Sequence, residues 1–200
     1  DMPAGPSEVC VLADETCNPD FVASDLLSQA EHGPDSQVLL VSTSSKVVDQ
    51  INEALVSQLA VLPRKEIAQQ ALENSKAVVV DSMEQAIFIV NSYAAEHLIL
   101  ACDNDEVVSE KITNAGSVFL GNYSPESVGD YASGTNHTLP TSGYARAYSG
   151  VSVDSFVKKI TYQKLTPAGL QAIGAAVETM AAAEGLEAHK NAITIRLQSL

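Results

Sequence analysis

Hydrophobic and polar positions switch between two periodicities along this chain. "SEVCVLA" (7–13) is a short apolar run that suits a buried strand. Pro19 then opens "PDFVASDLLSQAEHG". This segment sets Phe21, Val22, Leu26 and Ala30 on one side, with proline in the first turn and Gly33 just past the end, and so predicts a helix. "SQVLLVS" (36–42) predicts a strand. "KVVDQINEALVSQLAVL" (46–62) predicts an amphipathic helix stopped by Pro63, and "EIAQQALENS" (66–75) a further helix. Next come a strand at "KAVVVDS" (76–82), a helix at "MEQAIFIVNSYA" (83–94) and a strand at "HLILAC" (97–102). A helix near 105–114 and a strand at "GSVFL" (116–120) complete the series. Strands alternating with helices predict an α/β layer architecture with a mainly parallel sheet.

The pattern fades after Leu120. Residues 121–150 are rich in Gly, Ser, Tyr, Asn, Thr and Pro and read as one long loop, a kind of segment that usually carries function. From Thr166, "TPAGLQAIGAAVETMAAAEG" and "LEAHKNAITIRLQSL" read as two helices divided at Gly185. The organisation is therefore an α/β portion over 1–150 and a helical tail over 151–200.

Four histidines are available. His32 follows Gln29 by three positions, a spacing that aims both side chains from one helix face just before Gly33-Pro34 ends the helix. His97 follows Glu96 at a helix–strand junction. There an acid and an imidazole side by side either share proton transfer or merely cap the helix end. His137 lies in the long loop, seven residues after Asp130, and His189 lies five after Glu184. The bland reading of "AEGLEAHKN" is a solvated helix junction. Dinucleotide, P-loop, zinc-protease-helix and nucleophile-elbow motifs are all absent. What remains is a scattered set of N and O donors that suits a zinc-like site built from distant parts of the fold.

Charge and cysteine usage narrow the class. The net charge of −14 over 200 residues argues against nucleic acid or anionic membrane as a partner. No apolar run approaches the roughly 18 residues of a membrane span, and no secretory signal is visible. Cys10, Cys17 and Cys102 form no C-x-x-C pair, which fits a reducing cytoplasm, and Cys10 and Cys102 read as buried, inert thiols. The opening "DMPAGPSEVCVLAD" reaches a strand almost at once, as the middle of a longer protein does.

"DMPAGPSEV", "DLLSQAEHGPDSQV", "AEHLI", "GSVFLG", "SPESVGDYASGTNHTLPTSGYAR" and "AAEGLEAHKNAITIR" resemble histidinol dehydrogenase, over the whole length of the chain. The resemblance implies that a long N-terminal half, holding most of the NAD contacts and the rest of the sheet, is missing. The portion here would then be an incomplete Rossmann-like layered domain with a helical tail. It also implies zinc- and NAD-dependent oxidation of L-histidinol to L-histidine through the aldehyde, in the cytoplasm. By matching motif, one zinc per subunit falls to Gln29, His32, Asp130 and His189, and catalysis falls to Glu96 and His97. Substrate contacts would be Ser7, Gln29, His32, His97, Asp130, His137, Glu184 and His189. The tail would cross to the other subunit of a homodimer, so that Glu184 and His189 complete the partner's site. Two other readings stay open: a zinc hydrolase using Glu96 and His97, and a zinc-binding, dimerising piece without turnover.

Overall fold

The computed structural model describes residues 2–200. The chain divides into two compact units, the first ending at Phe156 and the second spanning Val157–Leu200. In the first unit, β1 (Glu8–Ala13), β2 (Gln37–Ser42), β3 (Lys76–Val79), β4 (His97–Ala101) and β5 (Ser117–Leu120) form one sheet in the order β3-β2-β1-β4-β5. All its pairings are parallel. Every residue of β1 and β4 is buried, as expected of strands covered on both faces. Alternation along β1 sends Val9, Val11 and Ala13 to one face, against α1 (Pro19–Ala30), α2 (Ser45–Val61) and α3 (Lys65–Glu73). Cys10 and Leu12 face the other way, with α4 (Met83–Tyr93) and Val108. All three cysteines are buried and free.

α1 starts where the sequence says. The Asn18 side chain caps it by accepting from the Asp20 N–H, and Pro19 fills the first turn. It stops at Ala30, so Gln29 is in its last turn while His32 stands in the turn beyond, its N–H bonded to the Gln29 carbonyl.

Two expectations are corrected. The helix near 105–114 is only α5 (Asp105–Ser109). The Asn91 carboxamide on α4 pulls the rest away: it accepts from the N–H groups of Thr113 and Asn114 and donates to the Lys111 carbonyl. The 121–150 segment is not structureless. It contains α6 (Glu126–Tyr131) and a 3-10 turn at Tyr144–Arg146. α6 is too short to show a hydrophobic period, and it is held by packing: Gly129 lies so close to the Phe119 ring that a Cβ there would meet it at 2.6 Å.

In the second unit, α7 (Pro167–Ala183) is capped by Thr166 and joined through Gly185, at φ +72°, to α8 (Glu187–Leu197). The pair packs tightly where Gly174 meets Leu197. Ile173, Met180 and Ile195 stay exposed. Among the described residues, no helix is long and apolar enough to cross a membrane.

Candidate active site

The strand order reverses between β1 and β4, where open α/β sheets usually hold ligands beyond the carboxyl ends of the strands. Here that end carries hydrogen bonds between its own loops. Asp14 accepts from the Asp103 N–H and from Thr16, and Asn122 accepts from the Asn18 N–H. The titratable groups gather instead at the amino ends. His97 is the first residue of β4 and stands opposite Val9 of β1. A cavity of about 500 Å³ opens there, lined by Ser7, His32, Glu96, His97, Asp130 and His137 together with Glu126 and Tyr131.

Glu96 and His97 are both buried. The Glu96 Oε2 accepts from the Glu8 N–H at 2.9 Å. The His97 Nδ1 lies 3.1 Å from the Glu8 carbonyl oxygen. A carbonyl only accepts, so Nδ1 carries the proton and Nε2 carries the lone pair. That Nε2 is buried without a hydrogen-bond partner, 3.9 Å from Asp130 Oδ1. Burial lowers the His97 pKa, against the Glu8 bond and the Asp130 charge, which raise it. Burial drives Glu96 up to about 7. The geometry is that of a neutral imidazole ready to accept a proton beside a carboxyl group that titrates near neutrality.

α6 brings a second acidic group. Glu126 and Asp130 lie four apart on it and so share a face. Glu126 is buried, with Oε1 3.6 Å from His97 Nδ1 and Oε2 unpartnered. Burial, then Asp130, Glu96 and Asp25, push it up to about 8. One ligand atom each from His32, Glu126 and Asp130 falls within 4.8 Å of the others, a spacing at which a metal ion can be held. Glu126 is the residue that reading the sequence missed. Its one visible signal was the i, i+4 carboxylate pair in "PESVGDY", hidden by the reading of that stretch as loop.

The histidinol dehydrogenase family model matches residues 1–197. The chain belongs to the histidinol dehydrogenase family. It is 61% identical over 200 residues to histidinol dehydrogenase of Bacteroides thetaiotaomicron, covering 100% of this chain and 47% of that protein. It is 56% identical to the enzyme of Aliivibrio fischeri, covering 46% of it. A crystal structure of histidinol dehydrogenase from Elizabethkingia anophelis superposes with TM-score 0.94 at 63% identity, covering 100% of this chain and 46% of that one. The chain thus spans about half the length of the curated relatives it matches.

Of the residues the family resemblance implies, Ser7, His32, Glu96, His97, Asp130 and His137 line this one cavity. Gln29 does not. It is wholly buried at the end of α1, and neither its Oε1 nor its Nε2 has a hydrogen-bond partner. A buried carboxamide with both ends unpaired costs about 1–3 kcal/mol. The N and O donors of the His32–Glu126–Asp130 cluster fit a zinc-like ion, and the unpaired Gln29 amide adds an oxygen donor at the end of α1, two residues before the turn that carries His32. Glu184, at the C-cap of α7, and His189, in the first turn of α8, are exposed residues of the second unit.

Proposed function

We propose that this chain is the part of a histidinol dehydrogenase that carries the proton-transfer and metal chemistry of NAD-dependent oxidation of L-histidinol to L-histidine. The observation that supports it most is the buried, unpartnered Nε2 of His97, on a side chain that lines a polar cavity and carries its proton on Nδ1.

Removing a hydride from an alcohol carbon requires the hydroxyl proton to leave as well. His97 Nε2 is the base for that proton. Oxidising the resulting aldehyde requires added water. Glu96 activates it, with a pKa near 7 that lets it exchange protons at neutral pH. Gln29, His32 and Asp130 would hold the zinc, joined by His189 from a partner subunit, and Glu126 has a ligand atom within 4.8 Å of those of His32 and Asp130. When bound, zinc would orient the substrate amine and imidazole and polarise the hydroxyl. Ser7 and His137 contact the substrate from the cavity wall, and Glu184 meets its cationic amine from a partner's tail. NAD is the hydride acceptor, and none of the described residues is assigned to it. A cytoplasmic homodimer completes the proposal, supported by the apolar residues that α7 and α8 leave exposed.

The test is turnover by the full-length protein. Two NADH per L-histidinol, lost on zinc removal and restored by zinc, is the expected result. Hydrolysis of an ester or amide without NAD would replace this reading with the zinc hydrolase.

A further inference from the structure

We infer that Glu8 is a positioning residue whose buried side chain anchors the start of β1, so that its main chain holds both Glu96 and His97 in reacting geometry. The inference rests on the reading of Glu96 and His97 as the reacting pair.

Glu8 is a carboxylate only 2% exposed at the first position of a buried strand, an expensive place for an acid. Its main chain is used twice: the N–H donates to Glu96 Oε2 at 2.9 Å, and the carbonyl accepts from His97 Nδ1 at 3.1 Å. Its side chain faces another part of the chain. Oε1 accepts the Ser142 N–H at 2.8 Å, bridging 134 positions. Thr141 reinforces that seam: its hydroxyl donates to the Gly5 carbonyl and its N–H to the Pro3 carbonyl. The segment before β1 is therefore strapped to the loop that follows His137. One residue joins the loop, the strand and the two reacting side chains. Because the Glu8 carbonyl fixes the proton on Nδ1, small movement of this peptide frees the imidazole to change tautomer, and the lone pair that Nε2 needs to act as a base is lost. An acceptor at Oε1 is what the Ser142 N–H requires, and the amide oxygen of a glutamine supplies it, its NH2 group replacing an Oε2 that has no hydrogen-bond partner.

The experiment uses full-length protein with 15N-labelled histidine, the His97 signals being assigned by their loss in His97→Asn. Wild type and Glu8→Gln should show one Nδ1–H tautomer at His97. Glu8→Ala should show a mixture, with kcat down about 10- to 100-fold, as misplacement by about 1 Å produces. KM and zinc content should stay within about twofold if only positioning is lost. Should Glu8→Ala not fold, Glu8→Asp, too short to reach Ser142, takes its place with the same expectation. An unaltered tautomer in Glu8→Ala or Glu8→Asp overturns the inference, and so does Glu8→Gln as impaired as Glu8→Ala. If wild type shows the fixed tautomer and its loss in Glu8→Ala yet never oxidises L-histidinol, the positioning role stands and the proposed function falls.

Discussion

Glu126 Oε1 stands 3.6 Å from His97 Nδ1, and both side chains are buried at the amino end of β4. Charging that carboxyl group in the metal-free protein is costly, and so is charging Glu96 beside it. Burial raises the two groups from 4.5 to about 8 and about 7. A raised carboxyl pKa stabilises the fold fully only below the unfolded value, and that contribution is lost as pH rises through the folded value. His97 runs the other way, since its lowered pKa destabilises the fold only as pH falls below 6.5. The window from pH 6.5 to 8 therefore isolates the carboxyl groups. The Tm of metal-free protein should fall across it, and Glu126→Gln should lessen the fall, with Glu96 and Asp25, each raised by burial to about 7, keeping their share. A Tm that rises with pH in both proteins would contradict the assignment.

Gln29 predicts opposite effects with and without metal. Gln29→Met removes a buried carboxamide whose two polar atoms lack partners. It should stabilise the metal-free protein by about 1 kcal/mol. It should also weaken zinc binding if the amide oxygen is a ligand. Denaturant melts with and without zinc read both. Unchanged zinc affinity removes Gln29 from the ligand set.

The two reacting side chains should separate by half-reaction. His97→Asn keeps much of the shape but no base, and should lower alcohol oxidation by about 10²- to 10⁴-fold with zinc content intact. Glu96→Gln should slow oxidation of supplied aldehyde more than oxidation of alcohol, because only that step needs activated water. Equal losses in both steps would end this division of labour.

Gly116 controls where Glu96 sits. A Cβ there would fall 2.5 Å from the Glu96 carbonyl oxygen, which also accepts the Ser117 N–H. Gly116→Ala should cost about 1–3 kcal/mol, a strain of the overpacking kind. It should also lower activity in the fraction that folds. A neutral effect on both stability and activity would show that the β4–β5 junction yields freely.

Complementation tests the shared site. Mixing full-length His97→Asn with full-length His189→Ala places both defects in one cleft of a mixed dimer and leaves the other intact, so activity should return. If subunits exchange and none returns, His189 serves its own subunit.

Much of the scaffold was legible because burial on both sheet faces demands unbroken apolar runs, as in "EVCVLA" and "HLILA", and because caps such as Asn18-Pro19 act through neighbouring residues. The long motifs were specific enough to carry the family. Short elements governed by distant partners were not legible. The segment 110–114 leaves its helix for the Asn91 carboxamide, and α6 exists through packing on Phe119. The same holds for the site. Sequence alone determined that Glu96, His97, His32 and Asp130 were the residues to watch. Only the tertiary structure placed Glu126 among them and left the Nε2 of His97 buried without a hydrogen-bond partner. Both depend on contacts between residues far apart in the chain, from β1, the turn after α1, β4 and α6, where register and packing, unlike local pattern, set the distances.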